Sequence, residues 1–317
     1  MVSFSIIMPL YNKAAYVRCA IESVLNQTFP NWELVIIDDG STDGGGDIVA
    51  HIEDSRIQYH YQSNTGVATT RNNCVEQSSA HYLCFLDADD WWAPTFLEEM
   101  QRLIAEFPEA GIYGTNYTIF NETKHKTRVA QIGVPEGFER GMIDYCKTYA
   151  KTMYMPLWTG AVCIPRNVFY EMGGFPKDIR LGEDFLLWIR IALKYPVVFL
   201  NKPLSFYNQD VDSNNRGVGK LHRPEQHMLW NLDFLSEEEK TNEDYKVLID
   251  NLRAYNLLPY YLSKDYHELA KKELDKVDWS NQPQKTRRIY QQPLVWLRIT
   301  SRIKKVGSKL KQQLRTI

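Results

Sequence analysis

Residues 82–90 read Tyr-Leu-Cys-Phe-Leu-Asp-Ala-Asp-Asp, an apolar run that ends in three carboxylates within four residues. The apolar part has the length of a buried strand, and Asp87, Asp89 and Asp90 follow it directly. Neighbouring carboxylates repel one another unless something positive lies among them, and Mn²⁺ or Mg²⁺ takes carboxylate oxygens together with substrate phosphates. The stretch therefore favours a metal site at a strand end. The alternative is a solvated acidic turn that caps the following helix.

Apolar runs alternate with helical patterns on both sides of this stretch. We predict strands at residues 4–8 (closed by Pro9), 33–37, 57–61 and 82–86, with helical spacing between them. Such alternation implies an α/β fold: a Rossmann-like, mostly parallel sheet with helices on both faces. Ligands of such sheets bind beyond the carboxyl ends of the strands, which is where the polar clusters lie.

The second hundred residues are less regular. Short strands are expected near residues 111–116, 160–164 and 197–200, and a helix over 184–194. Residues 208–220 have the polar, glycine-bearing composition of a mobile loop, and the pattern beyond them is helical.

Composition limits the class of protein. No segment approaches the ~18 apolar residues of a membrane span, and the first apolar run lacks the features of a signal peptide. The 5 cysteines are scattered without a C-x-x-C pair, which argues against a disulfide framework or a structural zinc site and indicates a reducing cytosol.

Five motifs in order resemble glycosyltransferase family 2. They are S-I-I-M-P-L-Y-N at 5–12, V-I-I-D-D-G-S-T-D at 35–43, N-T-G-V-A-T-T-R-N at 64–72, F-L-D-A-D-D at 85–90 and L-G-E-D-F-L-L-W at 181–188. The resemblance covers residues 3–205, and both the order and the spacing agree. It implies a GT-A fold, a nucleotide-diphospho-sugar donor with UDP favoured, a divalent metal (Mn²⁺ or Mg²⁺) and inversion at the anomeric carbon.

The resemblance also implies roles for single residues. On the donor side, Pro9 and Tyr11 match the nucleobase pocket, Asp39 (with Asp38 as the alternative) matches the carboxylate that binds the base, and Arg71 matches a cation near the nucleotide. Asp87 and Ala88 match the donor-binding part of the D-x-D motif, Asp89 matches the direct metal ligand, and Asp87 contacts the ribose or the metal through water.

The pair Glu183-Asp184 opens a predicted helix. Inverting transfer needs a base opposite the leaving group to take the proton of the acceptor hydroxyl. Asp184 matches that base, and Glu183 would orient it or touch the acceptor. Read without the family, the pair is an acidic helix start stabilised by the helix dipole.

Other assignments have weaker support. Asp90 and Trp158 are candidate acceptor contacts, and Trp158 is alternatively core. His222 is a candidate third metal ligand, or contacts the diphosphate with Arg216 and Lys220, although an exposed loop histidine is the simpler interpretation. The Q-x-x-R-W signature and multiple membrane spans of processive members are absent, which favours transfer of one sugar per encounter.

The carboxyl-terminal end is strongly basic. No acidic residue follows Asp278, whereas ten of the 37 basic residues do, so residues 1–278 carry −12 and the remainder +10. Apolar residues recur at helical spacing among these cations: Trp296, Ile299, Ile303, Val306, Leu310, Leu314 and Ile317. We predict a basic amphipathic tail over 285–317 that lies on an anionic membrane, or else packs on the protein or a second subunit.

Together these observations predict a catalytic domain over 1–207, with a nucleotide-sugar half at about 1–110 and an acceptor half at about 111–207. Residues 208–317 would form the loop and a helical region. The expected protein is a cytoplasmic, metal-dependent glycosyltransferase that acts on a glycan or lipid-linked acceptor in cell-surface polysaccharide synthesis. A peripheral position on the inner face of the cell membrane and a homo-oligomer are left open. One alternative is a nucleotidyltransferase, which would require a phosphate-binding loop after the first strand. The other is a nucleic-acid-binding module, for which the sequence contains no recognisable motif.

Overall fold

The structure, a computed structural model, describes residues 2–121, 123, 126–211 and 221–301. It divides into two compact units, Met1–Asn231 and Leu232–Ile317. The first unit continues past the residue 207 predicted as the end of the catalytic domain, and its described residues 221–231 bond to residues that precede the gap. The backbone N–H of Arg180 donates to Gln226, and that of Met228 donates to Leu181.

The described part of the first unit contains a ten-stranded sheet. Its strands are β1 Phe4–Leu10, β2 Trp32–Asp38, β3 Ile57–Tyr61, β4 Tyr82–Phe85, β5 Trp91–Trp92, β6 Ile112–Asn121, β7 Lys126–Val129, β8 Arg140–Ile143, β9 Val162–Pro165 and β10 Val197–Asn208. The main order is β3-β2-β1-β4-β9-β6-β10-β5, with β7 beside β6 and β8 beside β10. The four predicted strands of the first hundred residues are all present.

The sheet combines parallel and antiparallel pairs. β1, β2, β3 and β4 pair in parallel, as do β6 and β10. β9 inserts between β4 and β6 and is antiparallel to both. The α/β fold class is confirmed, and the sheet is mixed beyond β4.

Helices cover both faces of the sheet, as predicted. Those of the first unit are α1 Val17–Leu25, α2 Gly45–Ala50, α3 Val67–Gln77, α4 Phe96–Glu106, α5 Tyr145–Thr152, α6 Arg166–Glu171 and α7 Glu183–Ala192. On one face, Phe4, Ile6 and Met8 are fully buried in a cluster with the apolar stripes of α1 and α4. On the other, the ring of Phe85 packs against those of Phe175 and Trp188. These two layers fix the strands whose ends carry the polar clusters.

Pro9 lies inside β1 and does not end it, contrary to the prediction. The pairing of β1 with β4 ends at Ile7 and Phe85, while the pairing with β2 continues to Leu10. A proline is tolerated in a strand where one neighbour has already ended, because no ladder bond is lost on that side.

The described part of the second unit is helical. It contains α8 Ser236–Thr241, α9 Glu243–Asn256, α10 Leu258–Leu262, α11 His267–Leu274 and α12 Gln284–Tyr290, followed by helical residues 294–301. Over the described residues of the whole chain, no helix combines the length and the apolar character that crossing a bilayer requires. Residues 302–317 of the predicted tail, and residues 212–220 of the predicted loop with Arg216 and Lys220, lie outside the described residues.

Candidate active site

The D-x-D stretch forms a tight turn directly beyond β4. The Leu86 N–H donates to Ile7 of the neighbouring strand, and the Asp90 N–H turns back to the Asp87 carbonyl at 3.0 Å. The carboxylates therefore lie at the carboxyl edge of the parallel strands. This is the edge at which such sheets bind their ligands, as the sequence predicts.

Each carboxylate of this D-x-D motif has a cation from another element. Lys13, in the loop between β1 and α1, places its Nζ 2.6 Å from Asp89 Oδ2, and both side chains are more than four-fifths buried. Burial raises the pKa of Asp89, while the Lys13 charge acts to lower it. Lys13 thus keeps a largely desolvated carboxylate compensated.

Arg71 on α3 compensates the other carboxylate and joins it to the predicted catalytic pair. One terminal nitrogen donates to Asp87 Oδ1 at 2.7 Å and the other to Glu183 Oε1 at 2.9 Å. The arginine is 4% exposed, and its guanidinium lies over the Phe175 ring at 5.3 Å. Buried ion pairs of this kind hold their partners in place strongly, because removing one leaves an uncompensated charge. The arginine predicted near the nucleotide therefore connects the two acidic motifs.

Glu183 and Asp184 form the first turn of α7, as predicted. Gly182 precedes them at φ +84, and a Cβ there would lie 2.4 Å from the Met228 sulfur, so only glycine allows this entry into the helix. Burial raises the pKa of Glu183 to about 7, assisted by the charge of Asp184 and opposed by Arg71.

Asp184 is held at both carboxylate oxygens. The Thr159 hydroxyl donates to Oδ2 at 2.9 Å, and the Phe185 N–H donates to Oδ1 at 2.7 Å. Thr159 is 2% exposed and begins a short 3₁₀ turn, Thr159–Ala161, just before β9. These two hydrogen bonds hold the carboxylate in one orientation, which is what a group that accepts a proton from a fixed direction requires.

Asp39 and Tyr11, which are predicted to contact the nucleobase, follow the ends of the paired strands β2 and β1. Asp39, directly after β2, is 3% exposed and accepts from the N–H groups of Thr65 and Gly66 at 2.8 Å each and from the Gln62 amide at 2.7 Å. Tyr11 follows the end of β1 and is 46% exposed, so its ring is available to a ligand. Asp38 is also buried and accepts from Ser41 N–H, which ties it to its own turn.

Gly66 starts α3 beside Asp39 at φ +94. Residues with a Cβ rarely adopt such a φ, so the turn favours glycine. The exposed guanidinium of Arg180 lies in the space that a Cβ at this position would fill. The turn brings α3, and with it Arg71, to the edge of the sheet.

The remaining predicted residues have the following surroundings. Asp90 is 2% exposed and accepts from Asn208 N–H at 2.7 Å, which ties the turn to the end of β10. Trp158 packs its ring against Tyr117 and Tyr207, with centroids 5.1 and 5.0 Å apart. Burial lowers the pKa of the His227 ring to about 4, and the nearby His222 contributes to the same shift. Acceptor contact by Asp90 and Trp158, and metal binding by His222, stay predictions.

Among the described residues, no cluster of three or more acidic, histidine or cysteine side chains is arranged to hold a metal ion by itself. A Mg²⁺-type ion needs only one or two protein carboxylates when substrate phosphates complete its shell. Asp87 and Asp89 fit such an ion. The side chain of Asp87 is 30% exposed, and the carboxylate of Asp89 already binds a positive group, the Lys13 ammonium.

Sequence reasoning missed two residues of this site, Lys13 and Thr159. Lys13 follows the P-L-Y-N string and Thr159 follows Trp158, and neither carries a local signal of its partner. Their positions beside residues that were singled out are the only hint in the sequence.

Comparison with known sequences gives consistent results. The sequence model described as Glycosyl transferase family 2 matches residues 5–172. TuaG of Bacillus subtilis, named as a teichuronic acid biosynthesis glycosyltransferase, is 41% identical over 227 residues, covering 68% of this chain and 84% of TuaG. An uncharacterized glycosyltransferase of Rickettsia felis is 32% identical over 69% of this chain, and glycosyltransferase GlyA of Streptococcus pneumoniae is 37% identical over 64%. The chain spans only 36% and 30% of the lengths of these last two relatives.

Solved structures show the same fold. The crystal structure of S. aureus TarS 1–349 in complex with UDP-GlcNAc aligns with a TM-score of 0.69 at 18% identity, covering 90% of this chain and 83% of that one. The complex of the same TarS fragment with UDP aligns with a TM-score of 0.56 at 18% identity, covering 87% and 89%.

Proposed function

Because the chain belongs to glycosyltransferase family 2, we propose that it transfers a sugar from a UDP-sugar to a glycan or lipid-linked acceptor, with inversion and without processivity. The observation that carries the proposal is the Arg71 bridge. It holds Asp87 of the D-x-D turn and Glu183 of the helix α7 pair in one buried network, so donor and acceptor chemistry converge at one sheet edge. The TuaG likeness supports cell-surface polysaccharide synthesis as the setting.

A divalent ion would be held by Asp89, with Asp87 beside it, and would neutralise the charge that develops on the leaving diphosphate. Tyr11 and Asp39 would contact the nucleobase. The crystal structures of TarS with UDP-GlcNAc and with UDP support a uridine donor.

Asp184 would take the proton of the acceptor hydroxyl. Its carboxylate has both oxygens oriented by Thr159 and the Phe185 N–H, while Glu183 neutralises part of the Arg71 charge beside it. Direct displacement by the activated hydroxyl would invert the anomeric centre.

The donor class can be tested by thermal shift. We expect UDP and UDP-sugars with Mn²⁺ to raise the melting temperature, because a ligand that binds only the folded chain stabilises it by mass action, about 2.7 kcal/mol at 100 times Kd. GDP-, dTDP- and CMP-sugars serve as controls, each with and without EDTA. Equal stabilisation by all of the nucleotides, or by none, would contradict the uridine assignment.

The basic carboxyl-terminal end supports a second part of the proposal, contact with an anionic membrane. In helical residues 294–301, Val295, Trp296 and Ile299 are 68%, 63% and 46% exposed, whereas Leu297 is 7% exposed. Arg298 donates to the carbonyls of Leu262 and Ser263. The segment is therefore anchored to its own unit through one side and leaves Trp296 and Ile299, the first two residues of the predicted apolar stripe, uncovered within that unit.

Substituting serine for both Trp296 and Ile299 should weaken binding to vesicles with anionic lipid by tenfold or more, since burying each such side chain contributes roughly 1.5–3 kcal/mol. Sedimentation with vesicles measures the effect, and added salt should weaken wild-type binding. Tyr170→Ser removes an exposed ring of the first unit and is the matched control. If the double variant binds these vesicles as tightly as wild type does, or if anionic lipid does not increase the binding of wild type, the proposed membrane contact is wrong.

A further inference from the structure

Asp89, the predicted metal ligand, has a protein cation on the same carboxylate. The 2.6 Å distance from Lys13 Nζ to Asp89 Oδ2 is that of a charge-assisted hydrogen bond, and the side chains are 13% and 16% exposed. If a metal ion bound Asp89 Oδ2 while the Lys13 ammonium stayed 2.6 Å from the same oxygen, two positive charges would lie side by side in a site with little water. Such an arrangement is strongly repulsive.

The backbone that carries Lys13 is fixed, so it is the side chain that has to move. The Lys13 carbonyl accepts from the N–H groups of Tyr16 and Val17 at 2.9 Å, at the start of α1. On either side, Asn12 N–H donates to Ser41 Oγ and Ala14 N–H donates to Asp43 Oδ2. A lysine has four flexible carbons, so its ammonium can change partner while this backbone stays in place.

We propose that Lys13 exchanges one of its partners: its ammonium holds the Asp89 carboxylate before the metal binds and contacts the donor diphosphate after it. This inference rests on the metal role in the proposed function. With an ion bound, Asp89 would no longer hold the ammonium, and Lys13, whose side chain reaches Asp89 in this structure, would be placed to contact the donor phosphates there. Lys13 therefore opposes binding of the ion alone and favours binding of the ion with the nucleoside diphosphate, which couples the two binding steps.

If Lys13 contacts first Asp89 and then the diphosphate, removing its charge should change the Mn²⁺ affinity and the UDP affinity in opposite directions. Lys13→Met keeps the unbranched, flexible stem of the side chain and removes the charged ammonium. We expect it to bind Mn²⁺ alone more tightly, and UDP at saturating Mn²⁺ more weakly, each by roughly fivefold or more. Lys13→Arg keeps the charge and should resemble wild type in both measurements. Mn²⁺ binding is followed by electron paramagnetic resonance of the free ion, and UDP binding by calorimetry.

A merely structural role for Lys13 would lower both affinities, and that result would overturn the proposal. Tighter Mn²⁺ binding with unchanged UDP affinity would overturn the diphosphate contact. If Mn²⁺ binds neither the wild type nor the variants, and UDP affinity is the same in EDTA, both the metal role in the proposed function and the Lys13 proposal are wrong. If Mn²⁺ binds wild type and Lys13→Met equally, only the Lys13 proposal fails.

The exchange of partners can also be followed on the wild-type chain, with Lys13→Arg needed only to assign the signal. The side-chain ammonium resonance of Lys13, identified by its loss in Lys13→Arg, should shift when Mg²⁺ is added without nucleotide and shift again when UDP follows. A resonance that ignores Mg²⁺ at concentrations that saturate the site would contradict the exchange of partners.

Discussion

Asp184→Asn will lower the rate of sugar transfer by roughly 10²- to 10⁴-fold, the usual contribution of a positioned general base. Asparagine has the shape of aspartate, so its oxygen can still accept from the Phe185 N–H and its amide can donate to the Thr159 hydroxyl. The variant should therefore fold normally and bind UDP-sugar nearly as wild type does, because only the proton acceptor is lost. Single-turnover rates with saturating donor measure the loss directly.

Two further variants separate basicity from orientation. Thr159→Val leaves the Asp184 carboxylate in place but removes the donor to one of its oxygens, and we expect a smaller loss than in Asp184→Asn. Asp178→Asn removes an exposed acid six residues before Asp184 and should retain wild-type turnover. An Asp184→Asn enzyme that keeps most of its turnover would exclude this residue as the base.

Removing the side chain of Asp89 should abolish the metal-dependent part of donor binding. Asp89→Ala takes away the proposed ligand and leaves the Lys13 ammonium without that carboxylate, in a position to attract a diphosphate directly. We therefore expect UDP affinity to become the same in Mn²⁺ and in EDTA, with some binding remaining. Calorimetry under the two conditions measures this difference, and if wild type already shows no difference, the metal role is wrong.

Asp90→Ala is the informative control for Asp89, because it removes the neighbouring carboxylate of the same turn. Burial and the charge of Asp89 raise the pKa of Asp90 well above its ordinary value, and its contact is the Asn208 N–H. Leaving that buried donor unpaired costs roughly 1–3 kcal/mol. The variant should melt at a lower temperature while its UDP affinity still responds to Mn²⁺, which would separate the carboxylate that supports the fold from the one that holds the ion.

The strands of the first hundred residues could be predicted from the sequence because their signal is local. Apolar runs of strand length, separated by helical spacing, gave β1 to β4, and the acidic cluster after Phe85 indicated which edge of the sheet to examine. β10 is different: its apolar core, Val197 to Leu200, was expected, but the strand continues to Asn208 because pairing with β6 extends through a polar stretch. Strand length there is decided by a partner about 85 residues away.

Sequence alone determined the family, the fold class and the positions of the two acidic motifs, because these depend on short strings and on the periodicity of buried side chains. Only the tertiary structure decided which charges meet. Arg71 contacts both Asp87 and Glu183, the latter 112 residues after the arginine, and Lys13 contacts Asp89 across 76 residues. Those pairings follow from the order and register of the strands and from the insertion of β9. A buried charge is paired with the opposite charge that this packing places nearby, and no local sequence pattern specifies which residue that is.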